Sequence, residues 1–221
     1  QKTDLSHLTA FRYYTGGDFL ELDLTARRNL ELTETMRGKE KKGSLLWVLD
    51  KTRTAMGHRL IRSWMERPLL SPVQVNKRLD AVEDLVGDAI ARPEIAECLR
   101  EVTDLERLIG RIVYGTAGAR DLVALSGGLG KLPRLRALLA PFRSSLLTVL
   151  RESIDDLQDL REHIARALLE EPPFSVREGG FIRAGYQPEV DRLRDIMANG
   201  KGLVASIEAR QKEKTSIKSL K

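Results

Sequence analysis

The 221 residues are 42% hydrophobic and 31% charged, a balance that supports one or two soluble domains with a buried core. Cys98 is the only cysteine and no run approaches the roughly 18 to 20 apolar residues of a membrane span, so an internal disulfide is excluded and no membrane partner is expected. A net charge of +5 permits an anionic partner without requiring one, because 37 basic residues are mixed with 32 acidic ones.

Aromatic residues are only 5% of the chain, and glycine and proline fall mostly between leucine-rich stretches, a pattern of helices. The N-terminus, QKTDLSHLTAFRYY, has no apolar signal core, and with one free thiol this leads to an expectation of a cytoplasmic protein. In GGDFLELDLTARRNLELTETM, the alternation around Phe19, Glu21, Leu22 and Leu24 predicts a short extended entry. The charged GKEKKG that follows reads as a surface loop.

From Ser44 onward the punctuation is helical. Met56, Leu60, Ile61 and Trp64 recur at helical spacing until Pro68 ends the run. Ser71 and Pro72 restart a helix as cap and first turn, with Val75, Leu79, Val82 and Val86 as its expected buried stripe. TDLE at Thr103 to Glu106 reads as a capping box ahead of Leu105, Leu108, Ile109, Ile112 and Val113. Further helices are expected around Leu122, Val123 and Leu129, around Leu135, Leu138 and Leu139, and from Leu157 through Leu160 and Ile164 to Leu168, before Pro172 and Pro173. Phe174, Val176, Phe181 and Ile182 around Gly179 and Gly180 suggest a small β-hairpin or extended turn. Pro188 opens a last, long helix in which Val190, Leu193, Met197, Val204 and Ile207 form a heptad seam interrupted at Gly200. The fold class expected is all-α: a multi-helix core domain with a small hairpin-like insertion and a long C-terminal helix.

Reaction chemistry is not evident. SGGLGKL has Leu125 where a phosphate-binding loop needs glycine and Leu132 where it needs Ser or Thr, so a turn between helices is the better reading. His7, His58 and His163 lack a second histidine at i+3 or i+4 and a second cysteine, which argues against zinc. The paired carboxylates Asp155 and Asp156, and Glu170 and Glu171, have no accompanying nucleophile. No catalytic residue, metal ligand or cofactor-binding residue is therefore assigned. The basic tail remains: Arg210, Lys212, Lys214, Lys218 and Lys221 are candidate phosphate contacts, without an interleaved aromatic for base stacking.

Six ordered pieces, LDLTARRNLELTE, GSLLWVLDKTRTAMGHRLIRSWMERPLL, RLDAVEDL, DLERLIGRI, EGGFIRAGYQPEVDRLRD and ARQKEKTSIKSLK, resemble the MutS DNA mismatch-recognition family over nearly the whole chain. The resemblance implies the end of a connector region at 1–18, a helical core domain at 19–187 and, at 188–221, the ascending lever helix leading to a DNA clamp. It implies a mechanical role, relaying between an ATPase and that clamp, and no enzymatic activity in these residues alone. The mismatch-reading domain that carries the family's wedge-forming Phe-x-Glu motif, and the ATPase with its phosphate-binding loop, are not among the parts of the family that this sequence resembles. Mismatched duplex DNA, ATP with magnesium, dimerisation, and contacts with the clamp, connector and ATPase domains are implied for the longer family members. Two other classes fit the residues taken alone: a free-standing helical interaction domain, and a nonspecific basic DNA-binding module.

Overall fold

The computed structural model describes residues 16–216, which are predominantly helical. A short 3₁₀ turn, Gly16–Asp18, precedes Phe19, which makes an isolated antiparallel bridge to Leu69. Asp23 then caps α1 (Leu24–Asn29) by accepting from Ala26 N–H at 2.6 Å. The 38–43 segment is exposed, in keeping with its charge. Ser44, fully buried, caps α2 (Leu45–Leu49) by accepting from Trp47 N–H, and Leu46 beside it is only 1% exposed.

Thr54 caps α3 (Ala55–Glu66), which stops ahead of Pro68. Ser71 accepts from Gln74 N–H and Pro72 occupies the first turn of α4 (Pro72–Gly87), as the sequence predicts. The helices α5 (Ala91–Arg100), α6 (Leu105–Val113), α7 (Ala119–Leu129), α8 (Leu132–Leu138), α9 (Ser145–Ser153) and α10 (Gln158–Ala167) follow. The chain then passes a second 3₁₀ turn, Val176–Glu178, and ends its described part in α11 (Pro188–Thr215). Leu168 and Ile182 make one isolated antiparallel bridge.

The core is a row of small clusters. Ala81, Ala91, Ile95, Leu139, Phe142 and Leu147 join α4, α5 and α9 with the end of α8. Leu108, Leu125 and Leu129 join α6 to α7, and Ile164, Ala167 and Leu168 are covered by Leu122, Val123, Phe181 and Ile182. Cys98 has no solvent exposure and its thiol points at the Lys131 carbonyl; burial raises its pKa above the ordinary thiol value.

Four local expectations are corrected. The α4 stripe of Val75, Leu79, Val82 and Val86 faces outward, at 36, 55, 54 and 61% exposure. The reason is Asp84, whose carboxylate accepts from the backbone N–H of Ser144 at 2.8 Å and Arg143 at 3.2 Å, where α9 begins. That link fixes the rotation of α4 so that its small-residue side, Ala81 with Leu85, meets α9 and α5. The capping box fails too: Asp104, not Thr103, caps α6, because the Thr103 hydroxyl donates to Ala124 C=O instead.

SGGLGKL is mostly helix, with Gly127 and Gly128 inside α7 and only Gly130 and Lys131 turning into α8. Gly128 is needed there for space, since a Cβ on it would lie 2.5 Å from Thr103 Oγ1. Finally, α5 and α9 form where the sequence carries no conspicuous helix signal of its own. Asp88 starts α5 by accepting from Ile90 and Ala91 N–H, while α9 depends on Asp84, 60 residues before Ser144.

Candidate lever and nucleic-acid surface

The base of α11 is tied down by several independent contacts. Arg183 N–H donates to Ala167 C=O at 2.8 Å and Leu169 N–H to Phe181 C=O at 3.0 Å, stitching the approach segment to the end of α10. The Arg194 guanidinium reaches back to Ile182 C=O at 2.8 Å, and the Asp191 carboxylate accepts from Gly185 N–H at 2.8 Å. Tyr186 adds an edge-on contact to His163, its hydroxyl 3.1 Å from Nε2. Every one of these anchors lies before Met197.

Beyond them α11 bends. Asn199 leaves helical geometry at φ −111° and ψ 20°, with Gly200 and Gly202 next to it, the residues least able to stiffen a helix. At about 1.5 Å per residue the whole helix runs roughly 42 Å. Its apolar seam is bare: Leu193, Met197, Val204 and Ile207 are 52, 86, 65 and 43% exposed.

The predicted phosphate contacts separate on this helix. Arg210 and Lys214 are exposed, four residues apart on one side, and neither is in an ion pair among the described residues. Lys212 points away from them and is held by Glu208 at 2.5 Å, an i,i+4 pair. Lys218 and Lys221 lie outside the described residues. Lys214 continues the line of Val204, Ile207 and Gln211, so the apolar seam turns into a polar, basic one towards the helix end.

Two polar links have no local signal in the sequence. Arg59 on α3 grips the Asp104 carboxylate with two nitrogens at 2.9 and 2.7 Å and reaches Glu106 at 2.5 Å, tying α3 to the start of α6. The Arg59 hydrogen bond holds Asp104 below the usual carboxylate range. His58 lies between Asp50, bonded to its Nδ1, and Lys41, whose ammonium is 3.3 Å from Nε2. The Thr52 hydrogen bond chiefly lowers the Asp50 pKa; burial opposes it, and a lesser hydrogen bond from His58 adds to the lowering. Sequence separations of up to 47 residues gave neither Arg59 contact a local signal.

No group of three or more His, Cys, Asp or Glu suited to a metal occurs among the described residues, and no described helix is long and apolar enough to cross a membrane. A mostly helical body with one rooted, outward-running helix is thus the arrangement to be accounted for. The family model for MutS domain III matches residues 25–220, and the chain belongs to that family. It is 47% identical over all 221 residues to the DNA mismatch repair protein MutS of Ruminiclostridium cellulolyticum. The MutS proteins of Lachnoclostridium phytofermentans and Brevibacillus brevis are each 48% identical, again over the whole chain. The match takes in 24 to 26% of each relative, so the chain spans about a quarter of the length of these proteins.

Proposed function

We propose that these residues are the structural core and the rising lever of a mismatch-recognition protein, relaying between an ATPase at one end and a DNA clamp at the other. In this reading residues 1–18 close a connector, 19–187 form the core, with the 174–182 segment as a hairpin-like insertion, and 188–221 are the lever. The observation that carries it is the rooting of α11: it is anchored through Ile182, Gly185 and Tyr186 at its base, while its apolar seam is bare from Leu193 to Ile207. A helix fixed at one end transmits displacement to the other, which a relay requires. The reaction chemistry lies elsewhere in the polypeptide, where ATP and magnesium would bind; these residues alone neither bind nor hydrolyse ATP.

Mismatched duplex DNA is the partner of the whole protein, which acts as a dimer. Arg210, Lys212, Lys214, Lys218 and Lys221 contribute electrostatic contact with the DNA backbone, Lys212 less freely than Arg210 because of its pairing with Glu208. The relay is tested in the full-length protein by Ala205→Gly with Ala209→Gly, two exposed sites where glycine weakens the helix by roughly 1 kcal/mol each. ATP turnover without DNA should stay within twofold, while its response to a mismatched duplex should fall at least fivefold. An undiminished DNA response removes the relay.

A further inference from the structure

Between Asp121 and Glu152 the sequence has no acidic residue but five basic ones, Lys131, Arg134, Arg136, Arg143 and Arg151. Since the whole chain has 32 acidic residues in 221, a stretch of this length would ordinarily hold about four, so the charges here are not mixed as they are elsewhere. The fold gathers the five around α8. Lys131 precedes that helix, Arg134 and Arg136 stand on it, and Arg136 shares a groove of about 470 Å³ with Arg151 from the end of α9. The acidic residues that come near from other segments are already engaged. Glu101 bonds the Lys131 ammonium and stands 3.9 Å from Arg134, while Asp84 accepts from the backbone N–H of Arg143 and Ser144. Asp156, at the edge of the groove, faces Arg161 at 3.5 Å, and Glu152 meets one arm of Arg151 at 3.4 Å. Arg134, Arg136 and Arg143 are exposed, and neither Arg136 nor Arg143 is in an ion pair among the described residues. We propose that this basic face around α8 is a second contact for the phosphate backbone of duplex DNA, separate from the basic end of α11.

Chemistry chooses the partner. An exposed guanidinium without a carboxylate partner bonds phosphodiester oxygens through two N–H groups at once, and arginine supplies four of the five cations. A separate protein would need apolar anchors, because binding energy between proteins concentrates on a few buried, mostly aromatic side chains and the pockets they fill. The groove has no aromatic side chain, and the apolar part of its lining is only Pro133, Ala137, Ala140 and Ile154. A duplex backbone asks for exposed positive charge alone, since each phosphate neutralised releases counterions. Such a contact reads no bases and is blind to a mismatch. The proposal rests on the reading of the whole protein as one that binds duplex DNA, and it adds a contact that does not depend on α11 acting as a lever.

The test follows binding of the full-length protein to a long matched duplex by fluorescence anisotropy across a salt series. Each phosphate contact adds about 0.9 to the slope of log binding constant against log salt, so Arg134→Gln with Arg136→Gln and Arg143→Gln should lower that slope by about 2 to 3. A control triple, Lys51→Gln with Arg53→Gln and Lys77→Gln, removes the same charge at exposed positions that are in no ion pair among the described residues. It should change the slope by less than about 1. Lysine at the three α8-face positions keeps the charge and should keep the slope, which separates a lost contact from a damaged fold. Equal slopes for the glutamine triple and the control overturn the proposal, and so does a lysine triple as impaired as the glutamine triple. Labelled polyglutamate is the second probe: if the glutamine triple loses polyglutamate binding while its DNA slope is unchanged, the face belongs to an acidic protein and the proposal is overturned. Failure of the wider reading looks different, because the unaltered protein would then show no salt-dependent duplex binding at all.

Discussion

Replacing Gly128 by alanine sets two opposed effects against each other at one atom. Inside α7, alanine favours the helix over glycine by about 1 kcal/mol. The added Cβ, however, would sit 2.5 Å from Thr103 Oγ1, 3.2 Å from Leu105 Cδ2 and 3.3 Å from the Thr103 backbone nitrogen. Thr103 cannot yield freely, because its hydroxyl donates to Ala124 C=O at 3.2 Å, and its own backbone leads into the Asp104 cap of α6. Overpacking of this kind costs about 1 to 3 kcal/mol, so the clash should win by about 1 kcal/mol. For a chain of this size that lowers the thermal midpoint by roughly 2 to 4 °C. In a Thr103→Ala background the worst contact is gone, and Gly128→Ala should become neutral or stabilising. Calorimetry on the four proteins of this cycle gives the coupling directly. A raised midpoint for Gly128→Ala in the otherwise unchanged chain would refute the account of how α6 and α7 pack.

DNA binding by the 221-residue chain should be weak, equal for matched and mismatched duplexes, and steeply weakened by salt; Arg210→Gln with Lys214→Gln should flatten its salt dependence, and clear preference for a mismatched duplex in competition contradicts this. The pH prediction follows from Asp50, Asp84, Asp104 and Glu101, all held below their ordinary carboxylate values by hydrogen bonds: from Thr52, from Ser144 N–H, from Arg59 and from Lys131. Depressed folded values contribute stability that is present above the unfolded value, near 3.8 for aspartate, and lost as pH falls through the folded values. Thermal midpoints should therefore drop below about pH 4, with Asp104→Asn flattening that limb; a level stability from pH 5 to pH 3 refutes the assignment.

Helix boundaries were legible wherever the signal was local. Ser71 with Pro72, and Pro188, act through the turn they occupy, so sequence and structure agree there. The direction a helix faces was not legible when a distant residue sets it. The stripe of α4 is as regular as any buried one, and only the Asp84 link to α9 reveals that it points outward. The same distance effect hid the Arg59 grip on Asp104 and turned Thr103 from a cap into a donor to Ala124. Of the candidate site, the basic character of α11 was visible in composition, while the separation of Arg210 and Lys214 from the paired Lys212 needed the helix phase and the Glu208 contact.

Hydrogen exchange along α11 tests the central claim most directly, because a helix that is rooted at one end and bare past Asn199 should open from its far end. In the dilute 221-residue chain, amides of residues 203–216 should exchange much faster than those of α6, which is packed through Leu108 onto α7. In the full-length protein the same amides should gain protection that changes with nucleotide and DNA. Uniformly slow exchange across 203–216 in the dilute chain, or full-length protection indifferent to both ligands, would contradict the lever.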